Sequence, residues 1–185
     1  RQAKVEPNVI SYNKGAVACG KCAQWQQALW LLRDMSDAQV TPTVMSYHAV
    51  MLACEEFGQW QLALMLISDM RTSQCDPDSR SYAHVTGACR KAGQWQQALS
   101  QISEMRQAQV QLDAISYNLV ISACGTRMQW QRALSLLGES REATLGPNLF
   151  SCSSGISACE RGGQLHQALR LLGRCVSIRS CSWTL

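Results

Sequence analysis

Residues 79–113 read SRSYAHVTGACRKAGQWQQALSQISEMRQAQVQLD, a 35-residue unit that occurs five times, with variations, along the chain. The first four copies share a Ser-Tyr pair near the start, a Trp thirteen residues after the Tyr, and an Ala-Leu pair shortly afterwards. The tyrosines are Tyr12, Tyr47, Tyr82 and Tyr117, and the tryptophans are Trp25, Trp60, Trp95 and Trp130. In the fifth copy Cys152 and Leu165 take these places. Because no insertion or deletion interrupts the period, the chain is a tandem repeat array.

Each copy is predicted to form two helices joined by a tight turn. In the first copy we expect helices over about 10–20 and about 24–36, where apolar residues recur at helical spacing. Small residues mark the turn and prolines are expected to end the second helix. The turn residues are Ala23, Gly58, Gly93 and Gly163, and the prolines are Pro42, Pro77 and Pro147. Because neither helix buries its apolar face alone, the predicted fold class is all-α, a right-handed α-solenoid of stacked helix-turn-helix repeats.

The period also predicts the repeat boundaries. Four repeats are expected at 9–43, 44–78, 79–113 and 114–148, followed at 149–185 by a degenerate fifth repeat and a C-terminal tail. Residues 1–8 resemble the end of a truncated preceding repeat, because 3–8 is similar to 38–43. Since the chain also starts without Met, we expect a fragment or a processed product, so the lack of a visible targeting peptide decides nothing.

The composition indicates a packed protein with a mildly basic surface. Of the 185 residues 46% are hydrophobic and 16% charged, which excludes an intrinsically disordered chain. Seventeen Lys and Arg against thirteen Asp and Glu give a net charge of +4, which permits a polyanionic partner. No apolar stretch approaches the roughly 18–20 residues of a membrane helix, so no membrane partner is predicted.

Catalytic and metal-binding motifs are missing from the pattern. Five of the ten cysteines, Cys19, Cys54, Cys89, Cys124 and Cys159, recur once per repeat, which favours small buried residues in a reducing compartment over disulfides. Cys19 and Cys22 form a lone CxxC without a second pair at zinc spacing. No nucleophile and base set emerges. We therefore predict no enzyme, no metal and no cofactor.

The repeat resembles the pentatricopeptide repeat family, in its 35-residue P-type form. The matching stretches include Val9-Ile10-Ser11-Tyr12-Asn13, Ala92-Gly93-Gln94, Gln97-Ala98-Leu99, Met105 and Pro77-Asp78. They recur in register from residue 9 to about 175. The related 34-residue tetratricopeptide repeat fits worse, because this chain has its Trp at the start of the second helix. Two departures are that Trp, where the family usually has a smaller aliphatic residue, and the degraded fifth unit.

The resemblance implies a single-stranded RNA-binding module that takes about one base per repeat in a concave groove. The base-reading residues it implies are the fifth and last of each repeat: Asn13, Thr43, His48, Asp78, Ala83, Asp113, Asn118, Asn148 and Ser153. The second residues would stack on bases: Ile10, Met45, Arg80, Ile115 and Phe150. The phosphate-contacting residues would be Lys21, Lys91 and Arg161. The family further implies a mitochondrion or chloroplast, with a role in organellar RNA processing, stability, editing or translation.

Side-chain chemistry indicates a base preference for some of the predicted base-reading residues and leaves alternatives open for the others. Asp78 and Asp113 can only accept hydrogen bonds, which favours uracil or guanine, whereas the amide of Asn148 favours cytosine. His48 and Ala83 fall outside the family's code. The combination of Ser153 with Trp183 in the fifth repeat indicates no base preference. The residues at the last position are also good helix N-caps. Two alternatives therefore stay open: these residues only cap the helix, or they cap the helix and also contact a base. The tryptophans and tyrosines are predicted to pack between helices rather than to stack on bases.

Two other functions remain open at the level of sequence. One is a protein-interaction scaffold that uses the same groove, which is favoured by His48 and Ala83, outside the family's code, and by the adjacent Glu55 and Glu56. The other is an inactive fragment. The predicted partners are therefore single-stranded RNA and possible proteins, and the oligomeric state stays unknown.

Overall fold

The computed structural model describes residues 8–22, 24–142 and 149–181, and these parts are helical with short turns and no strand. Ten α-helices lie within them. They are α1 (Val9–Lys21), α2 (Trp25–Asp37), α3 (Val44–Glu56), α4 (Trp60–Thr72), α5 (Ser79–Lys91), α6 (Trp95–Gln107), α7 (Ala114–Thr126), α8 (Trp130–Glu142), α9 (Leu149–Arg161) and α10 (Leu165–Cys181). None of these described helices is both long enough and apolar enough to cross a bilayer.

The first helices of the first four repeats begin at a polar cap that pairs with the recurring serine. Asn8 accepts a hydrogen bond from the backbone N–H of Ser11 at 3.0 Å. Asp78 and Asp113 do the same with Ser81 and Ser116 at 2.8 Å. At Thr43 the backbone N–H donates to Oγ of Ser46 at 3.1 Å. The serine recurs because it completes the cap that starts each of these helices.

A left-handed residue, and not a proline, ends the second helices of the first three repeats. Helix α2 ends at Asp37, and Gln39 then takes a φ of 57°. The backbone N–H of Val40 donates to the carbonyl of Met35 at 2.8 Å, which forms a Schellman motif. Gln74 and Gln109 repeat this conformation. The prediction that Pro42 and Pro77 end these helices is therefore wrong, and Pro147 lies outside the described residues.

The turns inside the second to fifth hairpins use the same left-handed conformation. Gly58, Gly93 and Gly163 have φ values of 62°, 69° and 68°, as their predicted role requires. In the fourth repeat Met128 takes this place with a φ of 59°, although its side chain makes that conformation costly. Ala23, which was expected in the first turn, lies outside the described residues.

The helices form two compact units, one ending at Ala92 and one beginning at Gly93. In the first unit α3 packs against α1, α2, α4 and α5. In the second unit α9 packs against α7, α8 and α10. In both units one hairpin therefore stacks on the next, and the all-α helix-turn-helix class predicted from the sequence is confirmed.

The recurring small residues form the core of this stack. Ala63, Ala98 and Ala133, from the Ala-Leu pairs, are fully buried. The periodic cysteines Cys54, Cys89, Cys124 and Cys159 are buried as well, whereas Cys19 is partly exposed. Burial raises the pKa of the Cys54 thiol to about 12 and that of Cys124 to about 11. These cysteines are therefore apolar packing residues rather than reactive thiols.

The tyrosines pack between helices as predicted, whereas the tryptophans do so only partly. Tyr12, Tyr47, Tyr82 and Tyr117 are buried. Their hydroxyls reach a neighbouring helix or the turn after it, as where Tyr12 donates to Asp34 at 2.8 Å and Arg71 donates to Tyr82 at 2.7 Å. The tryptophans Trp25, Trp60, Trp95 and Trp130 are half-buried. They lie at the edge of the core because each occupies the first residue of a second helix.

Candidate nucleic-acid interface

The second position of the first helices carries an exposed side chain throughout. Ile10, Met45 and Arg80 in the first unit are exposed, and so are Ile115 and Phe150 in the second. Four of these five are large apolar side chains that remain more than half accessible to water. Helix packing does not account for apolar residues that stay exposed at one position every 35 residues. All five predicted stacking residues are thus accessible to a ligand.

The fifth position lies one turn further along the same helix face. Asn13 and Ala83 are half-buried there, and Ser153 is exposed. His48 and Asn118 are buried instead. None of the residues that the structure describes lies within hydrogen-bonding distance of the buried Oδ1 of Asn13. Access at the predicted base-reading positions therefore differs from repeat to repeat.

The last position of each repeat immediately precedes the next first helix. Thr43, Asp78 and Asp113 all act there as caps, and each stands two residues before a predicted stacking residue. Capping accounts for these residue types without any ligand, so a contact between them and a base stays a prediction. Asn148 and Trp183 lie outside the described residues.

A polar cluster around the buried His48 and His84 in the first unit was not predicted from the sequence. Nε2 of His48 lies 3.0 Å from Oδ1 of Asp78 and 3.0 Å from Oγ of Ser81. Nearby, Nδ1 of His84 lies 2.7 Å from Oε2 of Glu55. His48 and Asp78, which are predicted to read the same base, are therefore hydrogen-bonded to each other.

Burial and hydrogen bonding shift the pKa values of this pair in defined directions. Burial lowers the pKa of His48, and the neighbouring Asp78 only partly offsets that effect. For Asp78 burial raises the pKa, but hydrogen bonds from Ser81 and the nearby His48 outweigh it and leave the pKa below its usual value. The pair is thus a neutral imidazole that donates to a carboxylate at neutral pH.

Two of the three predicted phosphate-contacting residues already link adjacent repeats. Nζ of Lys91 lies 2.8 Å from Oε2 of Glu56, the residue one repeat earlier in the same position. Arg161 donates to the backbone carbonyl of Gly125 at 3.2 Å. Lys21 is exposed. Because an exposed ion pair is worth at most about 1 kcal/mol, Lys91 can exchange Glu56 for a phosphate at little cost.

Metal-binding geometry is not found in the part of the chain that the structure describes. No group of three or more His, Cys, Asp or Glu side chains there is arranged to hold an ion. Cys22, in the lone CxxC, is exposed at the end of α1, and Sγ of Cys19 lies 4.0 Å from Oε1 of Gln27.

Thermal stability is expected to fall as the pH is lowered from about 7 to about 5. The ordinary pKa of His48 is 6.5 and the folded value is lower, so the unfolded chain takes up this proton first and is favoured as the pH drops. Asp78 adds a further loss below its ordinary value of 3.8. Unfolding midpoints measured by circular dichroism across this range test the expectation. His48→Gln should flatten the curve, whereas His166→Gln, at an exposed position, should leave it unchanged; equal slopes in all three proteins would contradict it.

Comparison with known proteins identifies the repeat and its fold. The family model described as pentatricopeptide repeat-containing protein matches residues 18–140. No curated protein matches the chain. Among solved structures, the maize pentatricopeptide repeat protein PPR10 is 22% identical with a TM-score of 0.76, covering 94% of this chain and 25% of that one. PPR10 in complex with an 18-nt psaJ RNA element gives 20% identity, a TM-score of 0.74 and coverages of 94% and 29%.

A shorter relative matches over nearly its whole length. The PPR domain of Arabidopsis thaliana protein-only RNase P 1, in complex with tRNA, is 12% identical with a TM-score of 0.75. The match covers 92% of this chain and 90% of that one. Against PPR10 the chain spans only about a quarter of the relative's length. The family model covers more than half of the present chain, so the chain belongs to the pentatricopeptide repeat family.

Proposed function

We propose that the chain is a single-stranded RNA-binding module that takes about one nucleotide per repeat along the exposed face of its first helices. The observation that carries this proposal is the recurring exposed side chain at the second position, represented by Ile10 and Ile115. Supporting it, PPR10 and the PPR domain of RNase P 1 share the fold and are described in complex with RNA.

The chemistry of these positions suits unpaired bases. Apolar side chains offer a surface to the face of any base, and stacking contributes about 1–3 kcal/mol per base where the side chain is aromatic, as at Phe150. Carboxylates at Asp78 and Asp113 accept from the imino N–H of uracil or guanine. With Lys21 exposed and Lys91 exchangeable, the attraction for phosphates is modest and depends on salt.

The proposed action is steric rather than catalytic. Bound to RNA, the module covers a site, remodels RNA structure or delivers another factor in processing, stability, editing or translation. On family grounds we place it in a mitochondrion or chloroplast. Two matched structures are described as a nuclear RNase P, so imaging of a tagged full-length protein is the test of the compartment.

A protein-binding scaffold is the less favoured alternative, because one of the features that pointed to it forms contacts within the chain. Of the acidic pair that favoured it, Glu55 contacts His84, and the exposed Glu56 contacts Lys91. RNA is therefore the better-supported ligand.

Removing the exposed apolar side chains of the second unit is expected to weaken RNA binding by about tenfold or more. The variant is Ile115→Ala with Phe150→Ala, and its unfolding midpoint should stay unchanged because both side chains are exposed. Binding is measured with RNAs enriched from a random single-stranded pool, which should favour pyrimidines.

The matched control is Trp30→Ala, because Trp30 is 60% exposed but lies on a second helix. It should bind RNA like the original protein. Equal weakening by Trp30→Ala, or equal competition by double-stranded DNA, would mean that hydrophobic or charge attraction alone drives binding.

A further inference from the structure

His48 and Asp78 are the fifth and last residues of the second predicted repeat, but they differ in access. The side chain of His48 is 6% exposed, whereas the side chain of Asp78 is 52% exposed. A base that approaches this repeat from solvent can therefore reach the carboxylate and not the imidazole.

The hydrogen bond between them sets the proton position on His48. A carboxylate only accepts, so Nε2 of His48 must donate to Oδ1 of Asp78 across 3.0 Å. In a neutral ring Nδ1 is then an unprotonated acceptor, and no partner for this buried atom is found among the described residues. The polar contacts of His48 are thus directed at the Asp78 cap and at Ser81.

We infer that His48 is a positioning residue: it fixes the Asp78 carboxylate so that the second repeat selects a base with an N–H donor, uracil or guanine, without touching the base itself. The inference rests on the proposed function. Oδ1 of Asp78 also accepts from the backbone N–H and the hydroxyl of Ser81, both at 2.8 Å. His48 therefore ties the cap of α5 to α3. An acceptor held this way loses little freedom when a base binds.

Neighbouring groups hold His48 in its orientation. Its ring packs against that of His84, with centroids 5.8 Å apart and planes at 59°. His84 is held in turn by Glu55, at 2.7 Å. Gly87 makes room for this contact, because a Cβ at that position would clash with the Glu55 carboxylate. The glycine on α5 and the acid on α3 thus support the same arrangement.

The test compares base discrimination at a single nucleotide of the RNA. Asp78→Asn first locates that nucleotide, as the one whose preference changes. Four synthetic RNAs that differ only there are then bound to the original protein, to His48→Gln, whose amide can still donate to Asp78, and to His48→Leu, which has no donor.

The original protein should prefer uracil or guanine by about tenfold over adenine or cytosine. His48→Gln should keep most of this ratio, and His48→Leu should reduce it to about twofold or less, with preferences at other nucleotides unchanged. If His48→Leu fails to fold, as judged by circular dichroism, His48→Met provides the donor-free comparison.

Three results would overturn the positioning role while leaving RNA binding established. In the first, the donor-free variant discriminates as well as the original protein. In the second, the donor-free variant binds all four RNAs more weakly by the same factor, as expected if His48 has a purely structural role. In the third, Asp78→Asn alters the preference at no nucleotide. If the original protein binds no RNA from the pool, the proposed function fails and the inference fails with it.

Discussion

Replacing Ala63 with Glu is expected to lower the free energy of unfolding by more than about 4 kcal/mol. Ala63 is 0% exposed and lies in α4, which packs against both α3 and α5. A carboxylate introduced there loses its hydration and gains no cationic partner, and the tight packing leaves no room for a longer side chain. Urea denaturation followed by circular dichroism measures the loss.

The matched control for this substitution is Ser68→Glu, on an exposed position of the same helix. It adds the same charge and should change the free energy of unfolding by less than about 0.5 kcal/mol. Because each repeat of a stacked array contacts only its neighbours, hydrogen exchange in the Ala63→Glu protein should rise most in α3, α4 and α5. Similar losses from both variants would show that added charge, and not burial, causes the effect.

The hairpin architecture could be predicted because the residues that build it recur. The ranges of about 10–20 and about 24–36 differ by one residue at each end from α1 and α2, because caps and small core residues repeat with the period. The ends of the second helices were harder to predict than their positions. Propensity assigns the stop to Pro42, yet Gln39 makes the left-handed turn, at a cost of about 1 kcal/mol that packing elsewhere offsets.

The sequence predicts which repeat positions form the candidate site, but not how exposed the side chains at those positions are. Sequence alone does not distinguish an apolar residue such as Ile115 on a packed face from one in solvent, because both fit a helix. The contact of His48 with Asp78 was missed because the residues are 30 apart and meet only when α3 and α5 stack. The sequence does contain a signal, because both residues occupy positions predicted to read the same base, and a histidine paired with a carboxylate favours a hydrogen bond between them.

Gln101 is an exception to the pattern of the core, and replacing it with Leu is expected to raise the free energy of unfolding by about 2 kcal/mol. The equivalent positions in the other repeats hold Leu31, Leu66, Leu136 and Leu171. Gln101 is 1% exposed, and none of the described residues lies within hydrogen-bonding distance of its Oε1. Its amide nitrogen donates only long hydrogen bonds, of 3.3 Å, to Ser100 and Glu104.

Leucine removes the unsatisfied oxygen and has nearly the same volume, so the gain is not cancelled by overpacking. The unfolding midpoint should rise by about 5 °C. The reciprocal change Leu136→Gln, at a buried position, should cost a comparable amount, and Gln96→Leu, on the exposed face of α6, should change little. If Gln101→Leu instead lowers stability while Leu136→Gln also lowers it, the amide of Gln101 is satisfied in the folded protein, and the repeat tolerates a polar core residue there for a structural reason.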